Sequence, residues 1–314
     1  MTPQMPATAV QERAFLRSVV YAALFDYPLT PSQLREALLG EKADEVTLVH
    51  WYDNSAYLQA TIDYADGHFF PRGRRDVLQT RVAREAISRT MLRELAGPLR
   101  LISRMPFVRL VALSGSLAHL NAEDGADLDL FVVTRPGRVW TVTVATLLVA
   151  RLRGWRRRLC LNYVVSERAL WIAPADLFSA NQIVHLQPIA GRDTYRRFLE
   201  ANHFVERFYP NFRPREVKED ARSAWVLERA INFTVGPVAE LLCRWLYRTH
   251  LQRRAHTWKS RDQVRLGPEC LKLHTSSHRR EVMERFERAL DEAVILAEQN
   301  ALTHEESSPW PASA

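Results

Sequence analysis

The chain has 314 residues, 47% hydrophobic and 25% charged, with a formal net charge of +7. Such a length accommodates two or three domains with a sizeable core, and such an apolar content excludes a wholly disordered chain. The three cysteines, Cys160, Cys243 and Cys270, form neither a CxxC pair nor a zinc-ligand spacing, so reduced thiols in the cytoplasm are expected.

The charge is unevenly placed. Residues 12–66 hold nine acidic and four basic side chains, a balance of −5, which leaves +12 for the rest. The basic body could attract a nucleotide or a nucleic acid. Residues 1–11 carry no charged side chain and no long apolar run, so no secretory signal is expected. The longest apolar run, residues 139–150, falls short of the roughly 20 residues that span a bilayer. It reads as a buried helix, and no membrane partner is expected.

In chain order, residues 11–25 read as a helix, with Phe15, Val19, Ala22 and Ala23 near helical spacing. Asp26-Tyr27-Pro28 ends it, because proline lacks a donor and disfavours helix before it. Thr30-Pro31-Ser32-Gln33 is a capping-box start for a helix running to about Leu39. A short helix over 44–51 follows. Residues 57–62 and 68–70 then flank Asp66-Gly67 as a predicted hairpin. Three helices and a hairpin over residues 1–75 predict a winged helix-turn-helix. Its second and third helices carry Glu36, Glu41, Asp44 and Glu45, and only the wing end, Arg72, Arg74 and Arg75, is basic. That charge argues against DNA binding by this module and favours a structural or protein-contact role.

A long helix is predicted over 75–98 and a separate one over 99–104, bracketed by Pro98 and Pro106. Next come a strand over 107–113, a Gly-Ser turn, a short helix over 117–121, an acidic loop and a strand over 127–134. An apolar helix over 138–153, a strand over 159–165 and a short strand over 171–173 follow. From residue 175 the pattern reads as helical, with candidates at 176–182, 193–206, 219–250 and 278–300. The charged, Ser/Pro-containing end, residues 303–314, is expected to be a disordered tail.

Chemistry concentrates in two short segments, Leu113-Ser114-Gly115-Ser116 and Asp127-Leu128-Asp129-Leu130. Strand alternation puts Asp127 and Asp129 on one face, roughly 7 Å apart along the strand, and sends Leu128, Leu130 and Val132 toward a core. Two carboxylates at a strand start, beside a Gly-Ser turn, form a hard oxygen site suited to Mg2+ and phosphate.

The pattern hydrophobic-Gly-Ser, about ten residues, then Asp-hydrophobic-Asp-hydrophobic resembles the signature of the nucleotidyltransferase superfamily that includes DNA polymerase beta. Segments from Ala180-Asn181-Gln182-Ile183 to Pro188, over 195–202 and at Tyr209-Pro210-Asn211 further resemble bacterial nucleotidyltransferase-domain proteins in which a winged helix precedes the same core. The resemblance implies an α/β (α+β) fold. A winged helix-turn-helix would occupy 1–75 and a nucleotidyltransferase core with a mixed β-sheet 76–190. A helical C-terminal region would occupy 191–302, ahead of the tail at 303–314.

The same resemblance implies transfer of a nucleoside monophosphate from an NTP to an acceptor by a two-metal mechanism with Mg2+ or Mn2+. Gly115 and Ser116 would hold the triphosphate, and Asp127 and Asp129 would be the catalytic metal ligands. The family usually has a third carboxylate on a neighbouring strand, and Asn162 stands at the expected position, where an amide oxygen coordinates without charge. Glu167 and Asp124 are other candidates for that role. This departure leaves open an active transferase, a nucleotide sensor that does not turn over, and a winged-helix nucleic-acid binder. The acceptor is left open among protein, RNA and small molecules. Arg151, Arg153, Arg156, Arg157 and Arg158 could meet a triphosphate or polyanionic acceptor, or form a solvated turn. His119 could contact phosphate or base, or simply pack.

Overall fold

A computed structural model of the protein describes residues 6–217, 225–234, 236–260, 264–273 and 279–306. Side-chain caps set the first helices. In α1 (Ala9–Ala23) Thr8 and Gln11 exchange reciprocal hydrogen bonds, and in α2 (Pro31–Ala37) Thr30 and Gln33 do the same. Asp44 caps α3 (Glu45–Asp53) and Ser55 caps α4 (Ala56–Thr61). Strands β1 (Ile62–Ala65) and β2 (His68–Pro71) pair as an antiparallel hairpin. The expected strand over 57–62 is thus corrected: residues 56–61 are helical. The Ser55 hydroxyl takes the Leu58 N–H, and this cap outweighs the strand preference of Tyr57 and Thr61.

Helix α5 spans Asp76–Ser103 with Pro98 inside it, so the predicted break at Pro98 does not occur. Leu95, Leu99 and Ile102 are buried on either side, and that packing offsets the hydrogen bond a proline removes. Then follow β3 (Val108–Leu113), α6 (Gly115–Ala118), β4 (Leu128–Thr134), α7 (Val139–Leu152) and β5 (Leu159–Ser166). Beyond them lie α8 (Leu177–Val184), β6 (Gln187–Ala190), α9 (Arg192–Ala201), α10 (Val205–Phe208), α11 (Trp225–Thr234) and α12 (Gly236–Arg253). Last come β7 (Val264–Leu266), β8 (Cys270–Leu273) and α13 (Arg279–Glu306).

Residues 171–173 form no strand, and the region expected to be purely helical contributes β6, β7 and β8. Gly267-Pro268, read as a helix separator, lies in the turn between β7 and β8, where the Gly267 N–H donates to the Cys270 carbonyl at 2.8 Å. Of the tail expected at 303–314, residues 303–306 belong to α13, and 307–314 lie outside the described residues.

The protein divides into two compact units. The first combines residues up to 83 with 205–213 and the segment from 279. Its core holds Phe15, Leu34, Leu38, Leu48, Leu58, Phe69 and Phe70, with Phe15 edge-on to Phe69. Helix α13 packs along α4 and α1, and Phe286 meets Tyr21 edge to face.

The second unit comprises residues 84–204 and 214–278. It is built on a six-stranded sheet in the order β6-β3-β4-β5-β8-β7. Only β4 and β5 pair in parallel, joined through α7; the other pairs are antiparallel. The protein is therefore a mixed α/β structure with a mixed sheet. Leu128, Leu130 and Val132 face a core with Trp140, Val142, Leu161 and Val164, as alternation requires. On the opposite face Phe131 packs on Tyr163 and on Phe198 of α9. Strand β4 is thus covered on both faces except on the Asp129 side of its start.

Candidate functional site

The uncovered start of β4 lies against the end of β3. The Ser114 N–H donates to the Asp129 carbonyl at 3.0 Å. Gly115 adopts φ +66, and a Cβ there would stand 2.4 Å from Asp129 Oδ2 and 3.1 Å from its Cγ. Both the left-handed backbone and the proximity exclude a side chain. The turn is therefore laid directly on the Asp129 carboxylate. Ser116 is exposed beside it, while its carbonyl accepts from the His119 and Asn121 N–H groups. Behind the turn, the Ala122 N–H donates to the buried Ser88 hydroxyl of α5 at 2.9 Å, anchoring the loop that leads to Asp127.

Asp127 is exposed and immediately precedes β4, whereas Asp129 is half-buried within it. The charge of Asp127 reaches Asp129. Burial pushes the Asp129 carboxyl up to about 6; the charge of Asp127 adds to the rise, and a hydrogen bond from the Cys160 thiol opposes it. Two carboxylates held this way suit a hard divalent cation, which would relieve both the burial and the like charge. Among the described residues no group of three or more His, Cys, Asp or Glu side chains could hold a metal ion. A cation here would take two protein carboxylates and complete its shell from water or substrate phosphate, which is the habit of Mg2+.

Cys160, which no motif flagged, stands in register beside Asp129. The β4–β5 pairing then shifts, from Asp129↔Cys160 to Phe131↔Tyr163. Two residues of β5 face one of β4 there, as in a bulge. Asn162 falls at this shift, and its side chain lies outside the described ones. Glu167 is not a third ligand. It follows the far end of β5, roughly 20 Å along the strand from Cys160, and is ion-paired with Arg197 and, at 3.9 Å, with Arg109. Asp124 is exposed in the loop.

His119 caps the end of α6, and its ring lies 4.1 Å from that of His185. Burial pushes the His185 imidazole down to about 4, although its hydrogen bond to the Asn181 carbonyl works the other way. His185 is a neutral packing partner for His119. The turn over 151–158 adjoins the aspartate end of the sheet, because the Arg158 carbonyl accepts the Leu128 N–H at 2.6 Å. Its five arginines are exposed; Arg158 pairs with Glu94 at 3.0 Å.

At the opposite end of the sheet, charges are closed in. Glu228 accepts from Arg109 at 2.9 and 2.6 Å and from the Phe107 N–H at 2.7 Å. Glu240 accepts from the N–H groups of Trp140 and Thr141 and from the Thr141 hydroxyl, capping α7. Comparison with protein-family models, with curated proteins and with solved structures gives no match.

Proposed function

We propose that the protein is a Mg2+-dependent nucleotidyltransferase that moves a nucleoside monophosphate from an NTP to an acceptor hydroxyl. The observation that carries this reading is the glycine turn pressed against the Asp129 carboxylate, with Asp127 beside it. Where such a turn and such a strand start coincide, phosphate, exposed backbone and paired carboxylates can meet. Gly115 would let the chain approach the triphosphate closely, and the exposed Ser116 hydroxyl would donate to it. Asp127 and Asp129 would hold Mg2+ or Mn2+, which when bound supplies Lewis-acid activation and charge neutralisation for phosphoryl transfer. The acceptor oxygen bonds to the α-phosphorus, the bond to pyrophosphate breaks, and the hydroxyl proton passes to water.

In this reading the sheet of the second unit is a nucleotidyltransferase core, and α1–α3 with the β1–β2 hairpin form a winged helix-turn-helix. The basic wing end is engaged by its own neighbours. Arg74 pairs with Asp26 and Asp76, Arg75 with Asp66, and Arg72 donates to the Gln59 carbonyl. This supports a structural or protein-contact role over DNA binding. That the three cysteines form no disulfide fits a reducing cytoplasmic setting.

The second reading is a nucleotide sensor without turnover, favoured by the two-carboxylate donor set. The test is incubation with each α-³²P-labelled NTP, Mg2+ or Mn2+ and cell extract, comparing wild type with Asp127→Ala/Asp129→Ala. Label transferred by wild type alone supports the transferase and marks the acceptor as protein, RNA or small molecule. Nucleotide binding without transfer supports the sensor. Neither binding nor transfer overturns both.

A further inference from the structure

We propose that α12, together with the C-terminal end of α7, is a peripheral docking surface for an anionic lipid bilayer. This goes beyond the nucleotidyl-transfer reading and does not depend on it. Helix α12 is turned unusually. Its single carboxylate, Glu240, points inward to cap α7, and Tyr247 packs against the core beside Trp140. The outward face carries Val238, Leu241, Leu242, Trp245 and Leu246, exposed by 69, 65, 52, 65 and 52%. Their spacing of three and four residues places them on one stripe. Five such side chains amount to roughly 500 Å² of apolar surface, at the upper end of what a monomer's largest patch presents.

Apart from the inward Glu240, the charged side chains of α12 and of the described segment that follows it, to residue 260, are all basic. Arg244 and Arg248 are half-buried at its sides, and Arg253, Arg254 and Lys259 follow, exposed. Helix α7, which packs along α12, repeats the composition. Leu148 and Leu152 are exposed by 55 and 76%, and Arg151, Arg153, Arg156 and Arg157 follow or intervene, also exposed. The two helices run the same way, since Glu240 sits at the start of α7 and the charge of Arg156, beyond its end, acts on Tyr247. Leucines and a tryptophan flanked by guanidinium groups match the boundary between acyl chains and phosphate headgroups.

Other occupants fit less well. A second copy would set the same cationic rim against itself. A nucleic acid would take the arginines and leave the leucines in water. Among the described residues no helix is long and apolar enough to cross a membrane. The proposed association is therefore with the bilayer surface and involves no spanning helix.

The test is co-sedimentation of the full chain with phosphatidylcholine vesicles, with and without phosphatidylglycerol. Wild type should pellet with the anionic vesicles, less so in high salt, and bind neutral ones poorly. Leu242→Glu/Trp245→Glu should weaken that binding roughly tenfold or more, with an unchanged circular-dichroism spectrum. Arg244→Gln/Arg248→Gln should lower binding to anionic vesicles only, and carries the test if the first variant does not fold. No pelleting with either vesicle overturns the proposal. So does equal binding to neutral and anionic vesicles. An oligomer in light scattering that Leu242→Glu/Trp245→Glu makes monomeric overturns it in favour of a second copy.

Discussion

The two ends of strand β4 carry the same kinds of side chain and treat them in opposite ways. At its start, two acidic groups face each other's charge under a glycine turn, and Asp129 is pushed up to about 6 by burial and by Asp127. Beyond its end, burial also pushes Glu228 up. There the hydrogen bonds and charge of Arg109, with the Phe107 N–H, outweigh it and hold that carboxyl below its ordinary value. A carboxylate whose partners lie within the fold belongs to stability, whereas one held against burial and like charge is a candidate for binding or chemistry.

The sharpest break of that comparison is to delete one acid at each end. Asp129→Ala or Asp127→Ala should cost on the order of a thousandfold or more in nucleotidyl transfer, while the urea midpoint stays level or rises. Glu228→Ala should do the reverse. It leaves the half-buried Arg109 without its main partner and the Phe107 N–H without its acceptor, and should cost about 1 to 3 kcal/mol in urea unfolding, with turnover of the folded fraction little changed. Equal effects of the two deletions on turnover would erase the distinction.

Gly115→Ala tests whether the turn itself belongs to the aspartate end. The added Cβ would fall 2.4 Å from Asp129 Oδ2 at φ +66, so the turn must move away from the carboxylate. Transfer should drop about ten- to a hundredfold, with a strain cost of about 1 to 2 kcal/mol. A Gly67→Ala control changes another left-handed glycine, at φ +75 with nothing near its missing Cβ, and should show the strain without the loss of transfer.

A titration sharpens the same contrast. Asp129 sits at about 6 in the fold against an ordinary 3.8, so between those values the folded state holds a proton the unfolded state has released. Stability contributed by this group falls as pH rises through that window and stays lost above it. The melting temperature of Asp129→Asn should therefore gain on wild type as pH rises from about 4 to above 6. Added Mg2+ should narrow the gap above pH 6, since it favours the ionised carboxylate. A gap that does not vary with pH would show that Asp129 is not held against its charge.

The aspartate end was largely legible because its determinants are local. A turn needing glycine, alternation along one strand and caps such as Thr30 with Gln33 are all properties of a few adjacent residues. What stayed hidden depends on pairings across long loops. The β4–β5 register, with its shift after Cys160, is set through the α7 crossover and leaves no sequence signal. Glu167 was open as a metal ligand until Arg197 and Arg109 appeared beside it. Strands β7 and β8 are too short to show a period. In α12, apolar residues populate both faces, so the sequence could not tell the stripe that packs from the stripe that is exposed.

The smallest expected effect concerns the one residue at the site that sequence did not suggest. The Cys160 thiol donates to the Asp129 carboxylate and partly offsets its burial. A hydroxyl can make the same bond, and a methyl group cannot. Cys160→Ser should leave the pH profile of transfer near that of wild type. Cys160→Ala should move its acid limb upward and lower turnover at pH 6 by a few-fold, because a thiol hydrogen bond is a weak one. The direction of that limb is decisive. Loss of a donor to the ionised form can only make Asp129 harder to ionise, so an acid limb that moved downward would mean the thiol packs beside the carboxylate without donating to it.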